Sequence, residues 1–124
     1  MKKIAILLTL LFATVMTTNV HAQSDRIYDV VEEMPEFPGG TSAMRKFLSE
    51  NSNNPARERT RVILSFVVEK NGSLSDIKII HSSDDPAVDQ EAIRLVKKMP
   101  KWKPGKMEGK KVRVRYSLPI NFRV

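Results

Sequence analysis

From Lys111 to Val124 the chain alternates without a break. Val112, Val114, Tyr116, Leu118, Ile120, Phe122 and Val124 interleave with Lys111, Arg113, Arg115, Ser117, Pro119, Asn121 and Arg123. Successive side chains of a strand point to opposite faces, so a strict period of two predicts a long β-strand with one face on a core and one in water. A slip of one residue would carry the cations into the core, which pins the register. Pro119 has no N–H to give a ladder, which puts its nitrogen side at a sheet edge or a bulge. Cations on an edge strand are the ordinary protection against stray pairing. They are equally compatible with a docking edge to which another chain adds a strand, and the pattern alone does not decide between the two.

The rest of the chain supplies a partner for that strand. Arg61 to Lys70 (RVILSFVVEK) is apolar on both faces, with Val62, Leu64, Phe66 and Val68 on one and Ile63 and Val67 on the other, as expected of a strand in mid-sheet. Asn71-Gly72 predicts a hairpin turn, with a returning strand over Leu74 to His81. Thr41 to Asn51 carries Met44, Phe47 and Leu48 at helical spacing after the break PEFPGG, with Thr41 available as a cap. Asp85-Pro86 opens a second helix, Asp as N-cap and Pro in the first turn. Its apolar stripe runs through Val88, Ala92, Leu95, Val96 and Met99, and Pro100 stops it. The order helix, strand, hairpin, strand, helix, strand predicts an α+β domain, with two helices packed on one face of a three-stranded antiparallel sheet.

The N-terminus sets the compartment. Lys2 and Lys3 precede an apolar run from Ile4 to about Met16, too short to span a bilayer and suited to a signal-peptide core. Val20-His21-Ala22 resembles a cleavage site, so residues 1–22 are expected to be a signal peptide and the mature chain to begin at Gln23. An uncleaved leader would instead anchor the chain in the inner membrane. Residues 23–35 are expected to form a short linker or arm, and residues 36–124 the domain. Without Lys2 and Lys3, 19 basic side chains face 14 acidic ones, a net charge of +5. That balance favours acidic peptides or lipid surfaces. Nucleic acid is not an expected partner of an exported chain. The chain has no cysteine, so its core must hold without disulfides.

Catalytic material is scarce. His81 is the only histidine outside the expected leader. The run His81 to Asp85 (HSSDD) holds Ser, His and Asp in sequence, which is not a triad in space. Ser82, Ser83 and Asp85 fit better as a turn and a helix cap. One imidazole and no thiol make a poor metal site, no glycine loop cradles a phosphate, and no cofactor is expected. The residues do not point to an enzyme.

Three stretches together resemble the C-terminal domain of the TonB energy-transducer family: RVILSFVVEKNGSLSDIKIIHSS, VDQEAIRLVKKMPKWKPGK and VRVRYSLPINF. EEMPEFPGG resembles Bacteroidetes-type members in particular, and the likeness extends from Met34 to Val124. The resemblance implies a periplasmic module that pairs its last strand with the TonB box, a short peptide of outer-membrane TonB-dependent receptors. It also implies a role in transmembrane transport, with an inner-membrane motor complex as a further partner. Carried onto this chain, the docking edge spans Arg113 to Asn121. Arg113, Arg115, Ser117 and Asn121 would lie on it, while Trp102, Pro104 and Gly105 would shape the approach. Arg113 and Arg115 would favour acidic flanks on the peptide. Two features depart from the family: the short arm where transducers carry a long Pro-rich spacer, and Asn54-Pro55 where an aromatic precedes the proline. A homodimer through the same edge, without energy coupling, is the alternative.

Overall fold

A computed structural model describes residues 25–123; the expected signal peptide lies outside the described residues. The elements are β1 (Ile27–Tyr28), α1 (Gly40–Asn51), β2 (Thr60–Val68), β3 (Leu74–His81), α2 (Pro86–Lys97), β4 (Gly105–Met107) and β5 (Lys110–Phe122). The sheet order is β1-β5-β2-β3, with β4 paired to β5. The three strands expected from the sequence form its antiparallel centre, β5-β2-β3.

The sheet is nevertheless five-stranded and mixed, which corrects the three-stranded antiparallel expectation. β1 pairs with β5 in parallel, and β4 folds back on β5 through a two-residue turn at Glu108 and Gly109. Both turn residues have positive φ, 51° and 76°, the conformation whose twist matches a tight hairpin. Elements of two and three residues are too short to show a period.

The core lies between the sheet and both helices. Val62, Leu64, Phe66 and Val68 of β2 meet Leu118, Ile120 and Phe122 of β5, with Val88, Ala92, Leu95 and Val96 of α2 above them. α2 begins as expected: Asp85 Oδ1 accepts the Ala87 N–H at 3.0 Å, and Pro86 occupies the first turn. Ser83 and Ser82 bind the Asp89 carboxylate, so HSSDD is a turn and a cap. α1 is only half-buried, leaning Ala43, Met44, Phe47 and Leu48 on the core. It starts at Gly40, and its cap is Gly39 in the left-handed region (φ 89°), not Thr41. Gly40 donates back to the Phe37 carbonyl at 2.8 Å. Two glycines let the chain turn into the helix with no side-chain cap.

The segment from Val31 to Phe37 packs onto the domain. Val31 and Phe37 are buried. Glu33 and Lys106 exchange backbone hydrogen bonds (3.1 and 2.9 Å), as do Glu36 and Lys103 (3.0 and 2.8 Å). The loop after α1, where Asn54-Pro55 stands, is tied at both ends. The Asn53 N–H donates to Glu91 Oε2 at 2.7 Å, and Asn54 Nδ2 donates to the Arg123 carbonyl at 2.5 Å.

Glu91 is the buried hub of that tie. Its carboxylate takes two hydrogen bonds from Arg94, each 2.6 Å, besides the Asn53 amide. These donors favour the charged form, Arg94 most, and hold its pKa below the usual glutamate range. Arg113 does the same for Glu69. A carboxyl lowered by folding contributes stability that is present above its unfolded pKa and lost as pH falls through the folded value. The thermal midpoint is therefore expected to hold down to the ordinary glutamate pKa of about 4.3 and to fall below it. Glu91→Gln should start from a lower midpoint at neutral pH and lose less of it on acidification. Midpoints recorded by circular dichroism against pH would check this, and parallel curves for the two proteins would contradict it.

Candidate functional site

The sheet has two outer edges, and they differ. β3 is irregular: its register against β2 shifts twice, between Ile63 and Leu64 and between Ser65 and Val67. Asp76 in its middle has a φ of 48°. Bulges and charges of this kind blunt an edge against pairing. β5 is smooth. Nine consecutive residues, Val114 to Phe122, pair with Val68 back to Thr60 with no shift.

The polarity of the β5 edge follows from Pro119, which pairs with Ile63 inside that unbroken ladder. A proline fits there when its nitrogen faces away from the partner strand. Main-chain groups alternate in direction along a strand. Counting by twos, the amides of Arg113, Arg115, Ser117 and Asn121 therefore face outward, away from β2. The pairing of Arg113 and Val114 with β1, on the side opposite β2, agrees. From Arg115 to Phe122 no other strand covers this side among the described residues.

The expected site residues divide into three groups. Ser117 and Asn121 are exposed on the open edge. Arg113 and Arg115 are engaged within the fold. Arg113 Nε donates to Glu69 Oε1 at 2.7 Å and its Nη2 to Glu69 Oε2 at 3.1 Å, while Nη1 reaches the Asp25 carbonyl at 2.9 Å. Arg115 reaches Ser65 Oγ at 3.3 Å and Asp76 Oδ2 at 3.2 Å. The Asp76 pKa is lowered first by Arg115 and then by Lys78. Both guanidinium groups thus lie across the sheet with carboxylate partners, rather than offering unmatched charge at the edge.

Trp102, Pro104 and Gly105 form the third group. Trp102 is 3% exposed and lies inside the domain, not along the edge. Its ring stands at 5.0 Å from Tyr116, 5.3 Å from Phe66 and 6.0 Å from Phe37, edge-on to each. Such tilted aromatic pairs are favourable beyond their buried area. Pro104 is half-buried, and Gly105 is buried opposite Val112. A Cβ at Gly105 would sit 2.6 Å from Val114 Cγ2. Trp102 and Gly105 thus lie against Tyr116, Val112 and Val114 of β5 rather than along its open edge.

Sequence reasoning missed Ile27 and Tyr28, which cover the start of the edge, and Glu69 and Asp76, which hold the arginines. A two-residue strand leaves no periodic trace, and the acidic partners can be named only once the register is known. Among the described residues no cluster of three or more His, Cys, Asp or Glu could hold a metal ion.

A family model described as Gram-negative bacterial TonB protein C-terminal matches residues 54–124, which contain β2 to β5 and α2. A search of curated proteins finds no match. The match takes in more than half of the chain, including the whole of the smooth edge strand and the helix beneath it, and the chain belongs to the TonB C-terminal domain family, which is not an enzyme family.

Proposed function

We propose that this chain is a periplasmic binding module of the transport machinery. It takes the TonB box of an outer-membrane TonB-dependent receptor as an added strand on the outer edge of β5. The observation that carries the reading is the contrast between the edges: β3 is bulged and charged, β5 is straight and in register. In β-augmentation main-chain hydrogen bonds supply the affinity. The outward amides of Arg115 and Ser117 would be the donors. Acidic flanks on the peptide gain little, because Glu69 and Asp76 already satisfy Arg113 and Arg115.

Ser117→Pro tests the reading directly. Proline there keeps the ladder to β2 for the reason that Pro119 does, but removes an outward donor and sets a ring against the incoming strand. Titration calorimetry with a synthetic TonB-box peptide, from a receptor of the same bacterium, should show affinity falling about tenfold or more, the equivalent of roughly 1.4 kcal/mol. The thermal midpoint should move by only a few degrees. Unchanged affinity in a folded Ser117→Pro protein would place the ligand elsewhere.

A further inference from the structure

The well-formed part of the β5 edge is short. Arg113, Arg115 and Ser117 each present both an N–H and a C=O outward. The next outward position is Pro119, which has no donor. A docking strand therefore finds its complete run of partners between Arg113 and Ser117. The first of these positions is already occupied. Ile27 pairs with Arg113 and Tyr28 with Val114, in parallel, and Arg113 Nη1 holds the Asp25 carbonyl at 2.9 Å.

The occupant is held differently from the chain that follows it. Val31 and Phe37 are buried, and the backbone bonds at Glu33 and Glu36 fix that stretch to Lys106 and Lys103. The tip before it is exposed: Ile27 retains 37% of its surface, and Arg26 stacks its guanidinium 4.9 Å from the Tyr28 ring centre. A bend at Asp29 and Val30 separates tip from anchor, and Val30 is 78% exposed. Release of the tip would give up its pairing with Arg113 and Val114 and the Arg113 bond to Asp25, while the backbone bonds at Glu33 and Glu36 lie beyond the bend. The tip also precedes the family match, which begins at residue 54.

We propose that the segment Asp25–Tyr28 is a resident competitor for the docking edge, a strand in cis that an incoming peptide must displace from Arg113. The proposal rests on the reading that β5 docks a strand. Tethering keeps the local concentration of the tip high, while two residues of pairing keep it displaceable. A tip seated nine times in ten lowers the apparent affinity of the competing peptide about tenfold.

The absence of cysteine allows a clean test on the full chain. Ile27→Cys with Arg113→Cys places two thiols at paired positions on adjacent strands, within reach of a disulfide. The probe is the same synthetic TonB-box peptide. The reduced protein is expected to bind it through the β5 main chain, which the substitutions leave in place, and the oxidised protein, with the tip locked, to bind at least tenfold more weakly than the reduced one. Ile27→Pro with Tyr28→Pro, which strips the tip of its amides, should bind more tightly than the unaltered chain by up to about tenfold. Equal affinity of the oxidised and reduced forms, with binding intact, would overturn the competitor and leave the docking edge standing. No binding by the proline variant, which leaves β5 unaltered, would overturn the docking reading, and the competitor with it.

Discussion

Trp102→Ala should unfold the domain more readily than any other single truncation around the site. The ring is 3% exposed and wedged among Phe37, Phe66 and Tyr116. Truncating a buried aromatic to alanine costs about 3–5 kcal/mol, which in a domain of this size lowers the thermal midpoint by roughly 12–40 °C. The indole Nε1 is buried without a hydrogen-bond partner among the described residues. An orphaned donor costs about 1–3 kcal/mol. Trp102→Phe removes that penalty together with part of the ring, and should therefore cost far less than the alanine variant. Thermal melts of the two variants beside the unaltered chain would show it. Equal losses would mean that refilling most of the ring's volume and removing the orphaned N–H recover nothing, which would contradict this account.

The second large effect belongs to Gly72. Its φ is +86°, and a Cβ built there would stand 2.1 Å from the Trp102 carbonyl oxygen. The same turn accepts the Trp102 N–H at Gly72 O, at 2.8 Å. Gly72→Ala must therefore push the Trp102 backbone away and strain the turn together. The left-handed conformation alone costs about 1–2 kcal/mol for alanine. With the hydrogen bond disturbed as well, a loss on the order of 3 kcal/mol is expected. Trp102 is the only tryptophan in the chain, so its fluorescence reports the displacement as well as the unfolding. A Gly72→Ala protein with native emission and an unshifted denaturation midpoint would contradict this account. Gly109, with a similar φ but open space at its Cβ, is the matched control for backbone strain without collision.

Much of the fold is legible in the residues because the long elements repeat their pattern. Leu74 to His81 is a strand with those limits, and Asp85-Pro86 starts its helix as composition demands. The fourteen-residue alternation places the core face and the outward face of β5 correctly through Phe122. The site is less legible, for reasons that concern neighbours rather than periods. Trp102 stands between Lys101 and Lys103 and is expected from the resemblance to shape the approach to the edge, yet the rings of Phe37, Phe66 and Tyr116 surround it inside the domain. Arg113 and Arg115 read as free cations until the register brings Glu69 and Asp76 beside them. Ile27 and Tyr28 are an unremarkable pair in a polar segment, and only their place against Arg113 gives them a part in the site.

The unequal edges of the sheet also limit how many chains can join it. A filament needs two compatible growth fronts on every subunit, one to receive and one to be received. Among the described residues the twice-shifted β3 blunts one front, and the straight β5 leaves the other. On the proposed docking, pairing through β5 would end with a single added strand in place. An edge of that kind would hold the domain to a valence of one.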